Sequence, residues 1–367
     1  MHPAVRQLGH TLTRNIDATL LGIVLALLAV GVVVLVSASS MNAARVTGQI
    51  ANMLIALVVL WLFANIPPHY LMRLAVPLYV LGLLLLVAVA LFGDVVHGAR
   101  RWLDFGITRI QPSEFMKIAV PLALAWYFDR HEKSLRLANY AIATLMLVIP
   151  VALIARQPDL GTAVLITAAG FFVLFLAGLS WRVIAGVALA GAAAMPFVWS
   201  ALRDYQRQRI LTLFDPSQDP LGTGYHTIQS MIAVGSGGWF GKGWLNGSQT
   251  HLDFIPERTT DFVFAVYAEE FGLLGCVALL GLYLAAISRG MLITANAPTM
   301  FARLLCGAIT LTFFTYAFVN MGMVSGILPV VGVPLPFLSY GGTALVSICL
   351  GFGILMSINS HKKLVQT

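Results

Sequence analysis

The chain has 367 residues, of which 59% are hydrophobic and 10% are charged, and its formal net charge is +7 at pH 7. A soluble domain carries roughly 25% charged residues. This composition excludes an ordinary soluble enzyme and indicates an integral membrane protein. The cysteines lie within apolar runs and the histidines are scattered, which argues against a disulfide framework and against a zinc site.

Ten apolar runs are long enough to cross a bilayer as helices, which takes about 17–25 residues each. They cover residues 20–37, 48–66, 74–92, 112–128, 138–155, 162–179, 183–201, 262–287, 302–325 and 342–358. We therefore predict an all-α polytopic membrane protein that forms a single domain over residues 1–367. The first run is longer than the hydrophobic core of a signal peptide, so we expect it to be retained as a helix.

The predicted helices place both termini on one side of the membrane. Over the whole chain, Lys and Arg are divided almost equally between the two sides, but the short loops favour the terminal side. The positive-inside rule weighs short loops most heavily. We therefore predict cytoplasmic tails at 1–19 and 359–367, and a large extracytoplasmic loop at 202–261 between the seventh and eighth helices.

The loop before the fourth helix and the start of that helix carry charged residues at informative positions. Pro112 suits the first turn of a helix, and Glu114 is favoured there by the helix dipole. Lys117 follows three residues later, so the two side chains share a face and can pair. An unpaired ammonium is costly in an apolar helix, which favours a paired, inward-facing site over an ordinary helix-stabilising pair.

Two other outer turns offer candidate contacts. Arg100, Arg101 and Trp102 either anchor the chain at the membrane interface or clamp phosphate oxygens. Their composition leaves both readings open. In the short turn at 157–162, Asp159 is expected to be the N-cap of the sixth helix.

The long loop carries further cations. Arg207 and Arg209 face the same way only if the backbone between them is extended. The glycine-rich run at 235–243, which contains Lys242, fails as a nucleotide-binding P-loop because Ser236 replaces a required glycine and Gly243 a required Ser or Thr. The run supports no more than a flexible loop that lies close to a substrate.

Asp261 stands where the chain returns to the apolar pattern. It either caps the eighth helix together with Thr260 or faces a polar cavity open to the outer side. Glu269 and Glu270 follow within the same apolar run, and intramembrane ionisable groups are functional hypotheses by default. The residues alone leave these two roles of Asp261 equally open.

Several long motifs, taken together, resemble the SEDS family of polytopic cell-wall proteins, and its elongation branch rather than its division branch. The resemblance covers essentially the whole chain. The motifs are ARRWLDFG (99–106), QPSEFMKIAVPL (111–122), QPDLGT (157–162), DYQRQRI (204–210), DPLGTGYHTIQSMIAVGSGG (219–238), LDFIPERTTDFVFAVYAEEFG (252–272) and GILPVVGVPLPFLSYGG (326–342).

The resemblance implies a peptidoglycan glycosyltransferase that polymerises lipid II at the outer face of the bacterial inner membrane. The essential aspartate of the family falls on Asp261, its Glu–Lys pair on Glu114 and Lys117, and two further important positions on Trp102 and Asp159. The implied partners are undecaprenyl-diphosphate-linked glycan, a class B penicillin-binding transpeptidase and rod-complex scaffold proteins. No nucleic acid and no required cofactor are implied, although the clustered outer acids permit Mg²⁺ or Mn²⁺.

On this basis we expect Asp261 to accept a proton from the acceptor sugar hydroxyl. Cations are expected to stabilise the diphosphate leaving group, and the candidates are Arg100, Arg101, Lys117, Arg207, Arg209 and Lys242. Two alternatives remain. A lipid II flippase would need polar groups along both leaflets, and a scaffolding protein would leave the intramembrane carboxylates unexplained.

Overall fold

The computed structural model describes residues 14–96, 99–104, 109–202, 204–216, 223–251, 254–255 and 257–361. Within these ranges the side chains of Arg100 and Arg209, among others, lie outside the described part of the molecule. The predictions made for those two side chains therefore stay predictions.

Each of the ten predicted runs coincides with a long helix. The helices are α1 (Ala18–Ala38), α2 (Ala43–Ala64), α3 (Pro68–Phe92), α4 (Pro112–Arg130), α5 (Leu137–Arg156), α6 (Leu160–Leu176), α7 (Trp181–Ala201), α11 (Val263–Ala295), α12 (Met300–Val324) and α13 (Gly342–Ser360). Among the described residues, 7 helices are long and apolar enough to cross a membrane, and α6 and the described part of α7, Trp181–Phe197, are shorter apolar helices. The helical membrane fold is confirmed, whereas the number of spans stays a prediction.

The segment predicted as a large loop contains helices. These are α8 (Asp204–Phe214), α9 (Thr223–Ser236) and the single turn α10 (Ser248–His251). Because α8 is helical, the extended backbone that would turn Arg207 and Arg209 to one side is absent. Helix α9 packs on α11 and α12, with Thr227, Ser230 and Ala233 buried. The sequence of α9 mixes polar and apolar residues, so it lacks the long apolar run from which membrane spans are predicted.

A small antiparallel sheet joins α3 to α4, and the sequence analysis missed it. Its strands are β1 (Asp94–Val96), β2 (Ala99–Asp104) and β3 (Arg109–Ile110), in that order. The register pairs Trp102 with Asp94 and Leu103 with Ile110. Strands of 3, 6 and 2 residues are too short to show the alternating pattern from which strands are predicted.

Helix α12 lies at the centre of the bundle. It packs against α4, α6, α9, α11 and α13. In its most apolar window 61% of the residues are buried inside the protein, against 22% for α2. Side chains that α12 presents therefore reach several neighbouring helices, whereas much of α2 faces the surroundings of the bundle.

Helix α11 is broken at Gly272, whose φ of 63° and ψ of −163° are not helical. The glycine-rich segment 237–243 inserts at this break. A Cβ at Gly272 would collide with the backbone of Phe240 and Gly241, so only glycine fits. The backbones of the two segments are joined by Lys242 N to Glu269 O (3.0 Å), Gly243 N to Glu270 O (3.0 Å), Leu273 N to Gly238 O (2.9 Å) and Leu274 N to Trp239 O (3.1 Å). The segment predicted to be a flexible loop near substrate is thus built into the helix.

Candidate functional site

Asp261 lies half-buried just before α11. The N-cap of α11 is Phe262, whose side chain makes no capping hydrogen bond. The Thr260 hydroxyl donates instead to the backbone carbonyl and the carboxylate of Glu257, at 3.2 and 2.8 Å. The expectation that Thr260 and Asp261 cap this helix is therefore wrong, because the helix begins two residues after Asp261.

The Asp261 carboxylate lies against the turn that follows α12. A Cβ at Gly332 would stand 3.2 Å from Asp261 Oδ2, and the φ of Gly332 is +71°. The same turn meets the start of α6, where a Cβ at Gly161 would stand 2.7 Å from the carbonyl oxygen of Val331. The close approach of three segments therefore brings the Asp159 turn and Asp261 to one end of the bundle.

Asp159 is the N-cap of α6, as predicted, and its Oδ1 accepts from Thr162 N at 3.3 Å. Its second oxygen accepts from Gln111 Nε2 at 3.0 Å and from Ser113 Oγ at 3.4 Å. Asp159 is thus more than a cap, because it fastens the start of α6 to the start of α4. Its side chain is shared between two helices that border the site.

Glu114 and Lys117 form the predicted ion pair, with Lys117 Nζ 2.6 Å from Glu114 Oε1. The Lys117 side chain is only 5% exposed, so the pair faces the bundle interior. On α12, the Tyr316 ring centroid lies 5.1 Å from Lys117 Nζ. On α13, Ser347 Oγ donates to Glu114 Oε2 at 3.3 Å. The pair on α4 is consequently contacted from two other helices.

Two polar residues of α12 connect this ion pair with Asp261. Tyr316 lies over Lys117, and Asn320, one turn later on the same helix, donates from Nδ2 to the carbonyl oxygen of Asp261 at 2.8 Å. The i, i+4 spacing puts both side chains on one helix face. The sequence analysis missed both residues. The sequence signal for Asn320 is an asparagine within an apolar helix, since polar groups there need partners.

Arg101 is turned toward the loop between α5 and α6. It donates to the backbone carbonyls of Gln157, at 3.3 Å, and of Pro158. These carbonyls adjoin Asp159. Arg101 and Trp102 are both partly buried in β2, so the sheet lies over the Asp159 turn.

The other two described cation candidates have partners away from Asp159 and Glu114. Lys242 Nζ lies 2.7 Å from Glu269 Oε1. Arg207 donates to the carbonyl oxygens of Trp199 and Ser200, at 3.0 and 2.7 Å, at the end of α7. The structure does not place these two cations with the Glu114–Lys117 pair.

The two glutamates of α11, which the sequence predicted to face a polar cavity open to the outer side, are instead buried. Glu269 and Glu270 are 0% and 1% exposed. Glu269 accepts from Lys242, and Glu270 accepts from Ser37 of α1. Both carboxylates join α11 to neighbouring segments, because burial of a charged group requires such partners.

An apolar cavity of about 520 Å³ opens between α2, α3, α4 and α13. Its lining includes Phe63, Leu78 and Leu350, together with Gln111 and Glu114. Those two polar residues are the ones that bind Asp159 and Lys117. The cavity therefore leads from an apolar region between helices to the charged cluster.

The comparisons with known proteins all find members of one family. The model of the FtsW/RodA/SpoVE family of cell cycle proteins matches residues 18–364. The chain is 51% identical to the peptidoglycan glycosyltransferase MrdB of Escherichia coli K12, covering 96% of this chain and 95% of that one. It is 32% identical to the peptidoglycan glycosyltransferase RodA of Treponema pallidum, over 76% of this chain and 81% of that one.

Solved structures are similar over nearly the full length. A chain from a peptidoglycan synthase complex that coordinates polymerization and crosslinking superimposes with a TM-score of 0.83 and 35% identity, covering 96% of this chain and 99% of that one. The rod shape determining protein RodA of Thermus thermophilus gives a TM-score of 0.71 and 30% identity, covering 96% and 98%.

Proposed function

The chain belongs to the FtsW/RodA/SpoVE family and is a peptidoglycan glycosyltransferase, and from this premise we propose that it polymerises lipid II into β-1,4 glycan strands during cell elongation. The single observation that carries this reading is the cavity that ends at the Glu114–Lys117 pair. An apolar cavity that ends in a charged cluster suits a substrate with an isoprenoid chain and an anionic headgroup. In this proposal the isoprenoid chain of the substrate lies in the cavity, and its anionic headgroup lies at the Glu114–Lys117 pair.

Asp261 acts as the general base. The growing strand is held by its undecaprenyl diphosphate, and a second lipid-linked disaccharide supplies a sugar 4-hydroxyl. The hydroxyl oxygen attacks the anomeric carbon, the bond from that carbon to diphosphate breaks, and Asp261 accepts the hydroxyl proton. This requires roughly 2.6–3.2 Å between carboxylate and hydroxyl. A single displacement inverts the α-linked donor to the β-linked product, with no covalent enzyme intermediate.

The diphosphate leaving group needs cations rather than a proton. Among the described cations, Arg101 contacts the Asp159 turn and Lys117 is paired with Glu114, which lines the cavity, so these two are the best suited. Lys242 and Arg207 are less suited, because their described partners are Glu269 and the end of α7. Arg100 and Arg209 stay candidates on the motifs alone.

A divalent cation would enter with the substrate. The described residues contain no group of three or more His, Cys, Asp and Glu side chains that could hold a metal ion. Mg²⁺ or Mn²⁺ would therefore be bound mainly through the diphosphate oxygens, with at most one or two carboxylates.

The protein is a multi-pass membrane protein, and we place it in the bacterial inner membrane with both termini in the cytoplasm. A class B penicillin-binding transpeptidase is the proposed partner. The support is the similarity to a chain of a synthase complex in which polymerization and crosslinking are coordinated. Rod-complex scaffold proteins are proposed from the family alone.

The test is polymerisation of lipid II by the detergent-solubilised protein with its transpeptidase partner. We expect Asp261→Asn to abolish glycan chains at normal expression and partner binding. Glu132→Gln, which changes an exposed carboxylate, should leave the rate unchanged. Near-wild-type chains from Asp261→Asn would contradict the assignment of Asp261.

The same assay separates the alternative function. A flippase moves lipid II between leaflets and forms no glycosidic bond, so it yields no polymer in detergent. Polymer made by the wild-type protein and lost with Asp261→Asn therefore supports the glycosyltransferase and contradicts an exclusive flippase.

A further inference from the structure

Three consecutive backbone carbonyls that end at Asp261 are each held from elsewhere in the chain. The carbonyl oxygen of Thr259 accepts from Tyr340 N at 2.8 Å. That of Thr260 accepts from Ser339 Oγ at 2.6 Å. That of Asp261 accepts from Asn320 Nδ2 at 2.8 Å. The backbone on both sides of the Asp261 Cα atom is thereby fixed to α12 and to the turn before α13.

The side-chain amide of Asn320 can take only one orientation in this contact. Asn320 Nδ2 also donates to the carbonyl oxygen of Val333, at 2.7 Å. A carbonyl oxygen accepts hydrogen bonds and cannot donate, so the amide nitrogen must face both carbonyls. Asn320 thus ties Asp261 to the turn whose Gly332 lies against the Asp261 carboxylate.

The serine contact works in a similar way. Ser339 is 6% exposed, and its hydroxyl accepts from Leu335 N at 2.8 Å while it donates to Thr260. One hydroxyl therefore closes its own turn and holds the segment before Asp261. The single hydroxyl proton is thus committed to the Thr260 carbonyl, and one lone pair to Leu335 N.

The turn that carries Ser339 is itself anchored. Gln49 of α2 donates to the carbonyl oxygen of Ser339 and accepts from Gly341 N, both at 3.2 Å. From α11, the buried hydroxyl of Tyr283 donates to the carbonyl oxygen of Pro336 at 2.6 Å. A turn held by two helices makes a fixed support, because a supporting group restrains Asp261 only as far as it is restrained itself.

We propose that Asn320 and Ser339 are positioning residues for the glycosyl transfer, which hold the backbone of Asp261 so that its carboxylate meets the acceptor hydroxyl. This inference rests on the proposed role of Asp261. Neither side chain touches substrate in the proposal. Their loss misplaces the base without removing it, and a misplacement of about 1 Å costs up to about 100-fold in rate.

The variants are chosen to remove donors with little change in shape. Asn320→Asp keeps the size of the side chain but has no donor when ionised and a single donor when protonated, so it cannot hold both carbonyls. Ser339→Ala removes the hydroxyl, and Ser339→Thr restores it. The matched control is Ser357→Ala, since Ser357 is also buried and donates to a backbone carbonyl, that of Ile66, near the other end of α13.

The measurement is steady-state polymerisation by the detergent-solubilised complex, with kcat and KM for lipid II and the thermal unfolding temperature. We expect Asn320→Asp and Ser339→Ala to lower kcat by about 10- to 100-fold with KM changed less than threefold, and Ser339→Thr to recover most of the rate. Ser357→Ala should lower the unfolding temperature but leave kcat near the wild-type value.

A wild-type kcat for Asn320→Asp and Ser339→Ala, alongside an inactive Asp261→Asn, would overturn the positioning role while the proposed function stands. Equal kcat losses for Ser339→Ala and Ser357→Ala would also overturn it, because a general loss of stability would then explain both. An active Asp261→Asn would show instead that the proposed function has failed.

Discussion

Lys242 and Glu269 form an ion pair, 2.7 Å from Nζ to Oε1, across the break in α11. The Glu269 side chain is 0% exposed and that of Lys242 is 29% exposed. The same carboxylate oxygen also accepts from Ser248 Oγ at 3.1 Å and from Gln249 N at 3.0 Å. Glu269 therefore binds both the inserted glycine-rich segment and α10 to α11.

Removal of Lys242 should destabilise the protein more than neutralisation of Glu269. Lys242→Met leaves a buried carboxylate without its cation, whereas Glu269→Gln leaves an ammonium that can reach water. We expect a loss of about 2 kcal/mol or more for Lys242→Met, seen as a lower thermal unfolding temperature in detergent. Equal unfolding temperatures for Lys242→Met and the wild-type protein would contradict this account.

Gly272→Ala should prevent the glycine-rich segment from docking. Its φ of +63° is unfavourable for other residues, and the added Cβ would meet the backbone of Gly241. A positive φ combined with a ψ near 180° is adopted essentially by glycine alone and costs other residues roughly 1–3 kcal/mol, and the collision adds to it. Gly281→Ala is the matched control on the same helix, because nothing lies within 4 Å of its added Cβ.

We expect Gly272→Ala to lower the unfolding temperature and to expose the 237–243 segment to limited proteolysis. Gly281→Ala should be neutral or slightly stabilising, since alanine is the better helix former by about 1 kcal/mol. Similar proteolysis patterns for the two variants would show that the break in α11 does not depend on glycine.

The ionisation of the Asp17 carboxyl group makes the stability of the protein depend on pH. Burial raises the pKa of Asp17, but hydrogen bonds from Arg289 and from Leu20 N and the Arg289 charge lower it, so the net pKa is below the ordinary value of 3.8. Asn359 Nδ2 also donates to Asp17 Oδ2 at 2.8 Å. Because the folded-state pKa of Asp17 is lowered, the stabilisation of the fold by the ionised carboxylate is fully present above pH 3.8. It is lost as the pH falls through the folded-state pKa.

Asp17→Asn should therefore lower the unfolding temperature at neutral pH and reduce its acid dependence. We expect a cost of about 1.5–3 kcal/mol at pH 7, as for hydrogen bonds to charged groups. The two proteins should converge as the pH falls well below 3.8, measured by thermal unfolding in detergent from pH 7 downward. A constant difference over the whole range would contradict the linkage.

The Glu114–Lys117 pair can be tested for function apart from stability. Glu114→Gln and Lys117→Met each leave one buried charge without its partner, at a cost of about 3–5 kcal/mol. The double variant removes both charges, so its unfolding temperature should lie nearer to that of the wild-type protein. The polymerisation rate of the double variant should stay at least about tenfold below that of the wild-type protein, because the diphosphate leaving group no longer has Lys117 to stabilise its charge.

Two outcomes separate the roles of this pair. A double variant that is stable but inactive supports a role of Lys117 in the reaction. A double variant that regains both stability and polymerisation would show that the pair only packs α4 against α12 and α13.

Local features of the sequence were sufficient for the helices, the Glu114–Lys117 pair and the Asp159 cap. Each depends on spacing within one turn or one run, and burial in an apolar helix leaves a charged group few alternatives to its neighbour. The motifs also placed Asp261 next to a helix start, although the cap itself proved to be Phe262.

Only the tertiary structure showed how Asp261 is held and where Lys242 points. Asn320 and Ser339 lie 59 and 79 positions from the residues whose carbonyls they hold, and Lys242 lies 27 positions from Glu269. Such hydrogen bonds depend on how helices pack and on a break at a single glycine, neither of which has a period that a sequence pattern can reveal. A buried polar side chain predicts that a partner exists, but only the packing decides which one.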